Sequence, residues 1–248
     1  MISSSVPQIF SSSRRENRAR RAKSRQRRQG PARFLWDEMA DDVMERLAFV
    51  RHEPERPLLI GLATGVLAKT FNTAPQFFDL EAPYPEIGFD FIAVLGAFDA
   101  VNDLPGAMIH LRNALEPGGL AIASFIGGGS LARLRSAMLA AEPERPAARI
   151  HPFVDPRAAP GLLQRAGWKD PVVDTHTLKV RYSSMDQLVS DLRDQGLGNA
   201  LADAAPPLGK AALARARTAF LDAAEDDGKV TETFEIITLT GRRSLAGT

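Results

Sequence analysis

The stretch Pro57-Leu58-Leu59-Ile60-Gly61-Leu62-Ala63-Thr64-Gly65-Val66-Leu67 is an apolar run that stops at a glycine-spaced turn and restarts with helical spacing. It reads as a strand, a turn and a helix. Glycines at such a turn let the backbone approach a ligand closely, and the helix start behind it offers free N–H groups to polar or anionic atoms. The stretch is therefore a candidate nucleotide cradle. Gly-x-Ala-x-Gly is not specific by itself, and a strand-to-helix turn with no ligand fits it equally.

A chain of 248 residues, 44% hydrophobic and 25% charged, has room for one α/β domain with extensions and a substantial core. It contains no cysteine, which excludes disulfides, thiolate metal sites and a cysteine nucleophile. Its apolar runs fall short of the roughly 20 residues needed to span a bilayer, and the start lacks the apolar segment of a signal peptide. The expectation is a soluble intracellular protein in the bacterial cytoplasm. A Ser- and Arg-rich, acid-poor start also suits a mitochondrial transit peptide, which makes the matrix the alternative.

The net charge of +1 conceals a polar layout. Ten of the residues from Arg14 to Arg33 are Arg or Lys, against the single acid Glu16, so a basic arm precedes a mildly acidic body. Residues 1–33 read as an arm, disordered or conditionally helical, and 34–248 as the folded domain. A helix would align Arg14, Arg18, Arg21, Arg25 and Arg28 in one stripe suited to nucleic-acid phosphates or another anionic surface. A solvated stripe is equally compatible, since no aromatic residue interleaves to stack on bases. So is packing within the chain against the acids Asp37, Glu38, Asp41, Asp42 and Glu45.

Leu35, Met39, Val43, Leu47 and Val50 predict an amphipathic helix over Phe34–Val50. After the glycine turn, Val66 to Phe71 continues as a short helix, and Gln76 to Glu81 reads as a second strand ending in acids. Asp79 or Glu81 is then placed to accept hydrogen bonds from ribose hydroxyls, although a solvent-exposed strand end accounts for either. Phe89 to Ala97 predicts a buried parallel strand. Asn102 or Asp103 caps a helix that Glu116-Pro117-Gly118-Gly119 terminates. Leu120 to Ile126 is the next strand, and Gly127 to Gly129 leads into a helix over Ser130–Ala141. Helices over Ala158–Ala166, Met185–Gln195 and Lys210–Ala224 and strands over Pro171–Tyr182 and Thr231–Thr240 complete the chain. His52, His110, His151 and His176 have no metal-ligand spacing, and each reads as a surface or packing residue.

This order of elements resembles the class I S-adenosylmethionine-dependent methyltransferases. Three groups of stretches narrow the resemblance. They are Val101-Asn102-Asp103-Leu104-Pro105 with Leu115-Glu116-Pro117-Gly118-Gly119; Gly127-Gly128 through Leu131 to Arg135; and Ile150-His151-Pro152-Phe153 through Leu162 to Trp168 and Val173-Asp174. The first is shared by many methyltransferases. The other two are similar to the methyltransferase-like family of the mitochondrial complex I assembly factor 5 and, more remotely, of the biotin-pathway malonyl-carrier-protein methyltransferase. The likeness runs from about Phe34 to Gly241, and the basic arm is similar to the family's as well.

The resemblance implies a Rossmann-like, mostly parallel sheet with an antiparallel last strand. Gly61, Ala63 and Gly65 would line the methionine end of S-adenosylmethionine, Asp79 would bind its ribose, and Gly96, Ala97 and Phe98 would flank cofactor and substrate. No residue looks like a dedicated general base, and methyl transfer relies largely on positioning. The sequence departs from the family at three places. Leu59 stands where an acid is usual, and Ala63 replaces the middle glycine. Only nine residues, Pro83 and Pro85 among them, separate Asp79 from Phe89. Nine extended residues reach about 30 Å, enough to run back along a strand of roughly 17–20 Å, so one edge strand is expected to be missing. That deletion also removes an acid the family places near the adenine, and Asp99-Ala100 replaces its His-Trp.

Two readings follow. One is a methyltransferase-type enzyme with a protein substrate in respiratory-complex assembly, or a relative using the cofactor site for other chemistry such as arginine hydroxylation. The other is a non-catalytic protein that has lost the cofactor and serves as a binding or assembly partner.

Overall fold

The computed structural model describes residues 7–245. Helix α1 (Ser12–Arg25) comes from the basic arm, and α2 (Phe34–Val50) from the amphipathic pattern. Strand β1 (Pro57–Ile60) passes through a 3-10 turn at Leu62–Thr64 into the short α3 (Gly65–Thr70). Then follow β2 (Phe89–Leu95), α4 (Leu104–Ala114), β3 (Leu115–Ile126), α5 (Ala132–Ala141), α6 (Ala159–Arg165), β4 (Lys169–Tyr182), α7 (Met185–Asp194), α8 (Lys210–Leu221) and β5 (Val230–Arg242).

The five strands form one sheet in the order β1-β2-β3-β5-β4. β1, β2 and β3 are parallel, while β5 lies antiparallel between β3 and β4, so β4 runs in the direction of β1–β3. This is the Rossmann-like methyltransferase sheet expected from the sequence. Successive residues alternate between two cores. Leu120, Ile122 and Ile126 face a layer containing α2, α5, α7 and α8, whereas Ala121, Ala123 and Phe125 face α4 and α6. With both faces covered, each buried side chain such as Phe91 or Phe125 contributes on the order of 2–3 kcal/mol.

The second strand expected over Gln76–Glu81 does not form. That stretch makes one parallel bridge, Ile60 with Gln76, held by the Gln76 N–H donating to the Leu59 carbonyl at 2.7 Å. The chain then turns, with the Ala82 N–H donating to the Asp79 carbonyl at 3.3 Å. With so few residues left before β2, the segment must reverse at once, and β1 becomes the edge of the sheet. The turn at Glu116–Gly119 also differs from expectation. α4 ends at Ala114, and Gly118 with φ +84° lies in a bulged start of β3, where its N–H donates to the Arg243 carbonyl.

Asp103 caps α4 by accepting from the Gly106 N–H at 2.9 Å. Glu81 Oε1 accepts the Asn102 and Asp103 N–H groups, each at 2.9 Å, so a carboxylate sits at the positive end of the helix. Trp168, within one of the family-specific stretches, is buried and donates its indole N–H to the Met108 carbonyl at 3.0 Å. Gly241 on β5 leaves room for that ring, because a Cβ there would collide with it. Among the described residues no helix is long and apolar enough to cross a membrane.

Candidate cofactor site

In open parallel sheets, ligands bind beyond the carboxyl ends of the strands. A cleft of about 580 Å³ lies there, past the ends of β1 and β2. Its floor is Ile60, Gly61, Leu62, Gly96 and Ala97; Gln76, Phe77, Phe78 and Asp79 form one side, and α1 forms another. The volume is in the range of small-molecule sites, roughly 300–1,000 Å³.

Of the residues singled out in the sequence, Gly61, Asp79, Gly96 and Ala97 line this cleft. Ala63 and Phe98 are buried behind it, and Gly65 is exposed at the first turn of α3. Gly61 has φ +104° and ψ 169°, a conformation largely confined to glycine. A Cβ on Gly61 would meet the Leu95 carbonyl oxygen, so its small size serves the β1–β2 approach first. Gly96, with φ +66°, donates its N–H to the Ser124 carbonyl at 2.8 Å, and a Cβ there would meet nothing nearer than the Ala63 methyl. The 3-10 turn and the six residues of α3 leave too short a helix for its N-terminus to act as an anion cradle. Leu59, at the position of the expected acid, is fully buried in the core facing α2.

The two acids of this turn, Asp79 and Glu81, have separate duties. Glu81 is committed: Oε1 holds the start of α4, and Oε2 lies 2.6 Å from Arg15 Nη1. Asp79 accepts the Glu81 N–H at 3.1 Å and is 4.0 Å from Arg15, with 58% of its side chain exposed. It keeps acceptor capacity for hydroxyl groups. Asp79→Ala is expected to weaken binding of a ribose-bearing ligand about ten- to a hundred-fold, as for a hydrogen bond to a charged group, with a stability change within about 0.5 kcal/mol. Calorimetric titration with S-adenosylhomocysteine checks this, and wild-type affinity in the variant removes Asp79 from the site.

Behind Gly96 and Ala97 sits a buried ionic cluster that sequence reasoning missed. Asp99 receives two hydrogen bonds from Arg18, both 2.9 Å, and its Oδ2 lies 3.3 Å from His151 Nε2. His151 Nδ1 accepts the Ala200 N–H at 3.4 Å, so in the neutral ring the proton is on Nε2, facing Asp99. Burial pushes the Asp99 carboxyl up, but the Arg18 guanidinium and the contact with His151 outweigh it and hold the carboxyl well below the usual range. His151 is itself buried and wedged between Phe10 and Phe153, as a packing residue.

The sequence also gave no sign of the aromatic side of the cleft. Phe77, taken as part of a strand, is instead 45% exposed, with Lys23 Nζ 3.6 Å from its ring centre. The arm's ion-pair partners differ from those anticipated too. Arg15, Arg18 and Arg25 pair with Glu81, Asp99 and Asp194, and among the described residues only Asp37 of the acids on α2 pairs with the arm, through Arg33.

A parallel sheet closed by an antiparallel β5, with a cleft at the ends of its first two strands, defines the class as a Rossmann-like methyltransferase fold. The crystal structure of a candidate methyltransferase from Bacillus halodurans C-125 shares it, with a TM-score of 0.51, 10% identity, and 81% of this chain and 98% of that one covered. No family model matches the chain. A malonyl-[acyl-carrier protein] O-methyltransferase of Gallionella capsiferriformans is 30% identical over 241 residues, 82% of each chain. The corresponding protein 1 of Coxiella burnetii is 29% identical over 223 residues, covering 80% of this chain and 77% of its own. Human mitochondrial arginine-hydroxylase NDUFAF5 is 31% identical over 163 residues, 64% of this chain and 47% of its own length. The chain belongs to the malonyl-[acyl-carrier protein] O-methyltransferase-like family of class I S-adenosylmethionine-dependent methyltransferases, in which NDUFAF5 is a relative.

Proposed function

We propose that the chain binds S-adenosylmethionine in the cleft at the ends of β1 and β2 and methylates a carboxylate carried on a protein. The observation that carries this reading is the cleft itself, which combines the backbone of Gly61 and Gly96 with the open carboxylate of Asp79 and the exposed ring of Phe77. When bound, the cofactor supplies a methyl group on a sulfonium centre. Asp79 would accept from the ribose hydroxyls, Phe77 would offer its ring to the base once Lys23 moves off it, and the backbone at Gly61-Leu62 and Gly96-Ala97 would hold the methionine end.

No histidine lines the cleft, and His151 is turned toward Asp99 behind it. A carboxylate acceptor suits that arrangement. With a pKa of about 4 it is already ionised at neutral pH and needs no base, so positioning and exclusion of water suffice. The relatives that match along most of their length are named for malonyl groups on an acyl-carrier protein, a protein-borne carboxylate of this kind. Arg14, Arg20, Arg21, Lys23, Arg27 and Arg28 on the arm are exposed and have no ion-pair partner among the described residues, which favours an acidic protein surface as partner.

A second reading is a non-catalytic binding or assembly protein. It is favoured by Leu59, buried where an acid is expected, and by the shortened path from Asp79 to Phe89. Thermal-shift titration separates the two readings. A ligand that binds only the folded state, at a hundred times its dissociation constant, adds about 2.7 kcal/mol. S-adenosylmethionine and S-adenosylhomocysteine are both expected to raise the melting temperature, and labelled methyl to pass to a malonyl-loaded carrier protein but not to the unloaded one. An unchanged melting temperature at millimolar ligand defeats the enzyme reading; a shift without transfer to either carrier form defeats the substrate assignment.

A further inference from the structure

Strand β4 is the outer edge of the sheet beyond β5, and its free side is uncovered. Over residues 172–182 it pairs with β5 without a shift, from Val172 opposite Thr240 to Tyr182 opposite Val230. In an antiparallel strand alternate residues turn their N–H and C=O groups away from that neighbour. Among the described residues, no group outside β5 bonds to the backbone of this stretch. An edge of this kind is a template for another strand, and proteins commonly shorten it, bulge it or place proline in it. Here those devices occupy only the first end, where Asp170 has φ +49°, Pro171 cannot donate and the pairing slips between Lys169 and Val172. Eleven residues without proline or glycine follow, residues 172–182.

The side chains along that edge complement themselves. Val172, Asp174, His176 and Leu178 stand on the face toward α2, where Asp174 Oδ2 is 2.6 Å from Arg46 Nη1 and His176 Nε2 is 3.2 Å from Glu38 Oε1. Val173, Thr175 and Thr177 stand on the other face. Val172, Asp174, Thr175 and Thr177 are exposed, and Val173, His176 and Leu178 are half-buried. When a second copy pairs antiparallel about a two-fold axis, one residue faces itself, and that residue fixes every other pair. With the axis at Thr175, Val172 faces Leu178, Val173 faces Thr177 and Asp174 faces His176, each pair occurs twice, and Pro171 closes both ends. An axis at Asp174 sets two carboxylates opposite each other, which is destabilising. One at His176 sets imidazole against imidazole and Asp174 against Leu178, and one at Thr177 sets Asp174 against Val180.

We propose that β4 pairs antiparallel with β4 of a second copy of this chain, about a two-fold axis at Thr175, joining two five-stranded sheets into one. The pairing runs over residues 172–178. With the imidazole protonated, Arg46 and Asp174 of one copy and His176 and Glu38 of the other form a row of alternating charge, and the axis repeats that row on its other side. Such complementarity selects the register and the partner more than it adds affinity. The cleft lies past the ends of β1 and β2, at the opposite edge of the sheet, so the contact leaves it open in both copies. The proposal is therefore independent of what the cleft binds. Seven residues a side make a small contact, so association depends on concentration.

The chain has no cysteine, so a single introduced thiol reports the axis. Directly opposite residues of an antiparallel pair have Cβ atoms roughly 4.5–5.5 Å apart, close enough for a disulfide after a small adjustment. Residue 177 of one copy lies four residue steps from residue 177 of the other, about 14 Å. Thr175→Cys is expected to form a reducible dimer under air with a copper catalyst, and Thr177→Cys, exposed on the same face, to stay a single chain. In sedimentation the wild type is expected to move from one chain toward two as its concentration rises. Thr175→Lys sets two ammonium groups opposite each other and is expected to weaken association several-fold, with the circular dichroism and melting of dilute wild type. A wild type that sediments as one chain at roughly 1 mM overturns the proposal and leaves the edge to a strand from another protein. A dimer that ignores Thr175→Lys, or that cross-links as readily through Thr177→Cys as through Thr175→Cys, also overturns it. So does growth beyond two chains, because a two-fold pairing is closed.

Discussion

Gly61→Ala is expected to lower stability by about 3 kcal/mol or more, through a backbone conformation that side-chain-bearing residues avoid and a collision with a neighbouring strand. At φ +104° and ψ 169°, any Cβ on residue 61 is driven into the Leu95 carbonyl oxygen, and the fixed pairing of Leu59 with Ala93 and Ile60 with Val94 keeps the strands from parting. A loss of that size lowers the melting temperature of a chain this long by roughly 6–12 °C. Urea unfolding and calorimetry read it directly. The contrast is Gly65→Ala: φ there is −61° and nothing lies within 4 Å of the new methyl, so it is expected to melt like wild type. Equal melting temperatures for Gly61→Ala and wild type contradict the assigned role.

Arg18→Ala has the second large expected effect. It leaves Asp99, whose side chain is 1% exposed, with no cation beside it and the His151 imidazole as its remaining contact at 3.3 Å. Removing one member of a buried pair costs about 3–5 kcal/mol; the low end applies here, because the Arg18 side chain is itself 12% exposed, so its removal lets water reach Asp99. A double-mutant cycle with Asp99→Ala measures the coupling, and the double variant is expected to regain part of the loss, because the lone buried charge is then gone. The pH dependence has a definite sign. The folded-state value of Asp99 is depressed, so its contribution is fully present above the unfolded carboxyl value of about 3.9 and is lost as pH falls through the depressed folded value. Arg18→Ala should therefore flatten the acid limb of the stability profile, and an unchanged limb with zero coupling excludes the pair as a stabilising element.

The secondary structure was legible wherever periodicity and punctuation agreed. The spacing from Leu35 to Val50 matches α2 end to end, Asp103 does cap α4, and the apolar run from Phe89 is β2. Gln76–Glu81 was misread because an apolar pair flanked by polar residues has the local look of a strand. Pairing needs a neighbour in register, and the short return to β2 allows one bridge. In the site, the turn glycines and Asp79 were legible as a pattern, while their jobs were not. Gly61 answers to Leu95 across the sheet, and only the bond network separates the committed Glu81 from the open Asp79.

The arm marks the division most clearly. The sequence by itself determined a helix-compatible stripe of arginines, an α/β body able to cover both faces of a sheet, and a family likeness carried by short stretches such as Ile150–Phe153 and Leu162–Trp168. Those are consequences of local spacing and composition. Only the tertiary structure decided which arginines turn inward, because Glu81, Asp99 and Asp194 come from three distant parts of the chain and are brought beneath α1 by the packing of the sheet and α7. The same packing decided that α1 walls the cleft. Burial and long-range charge pairing depend on contacts between remote segments, and no local pattern encodes them.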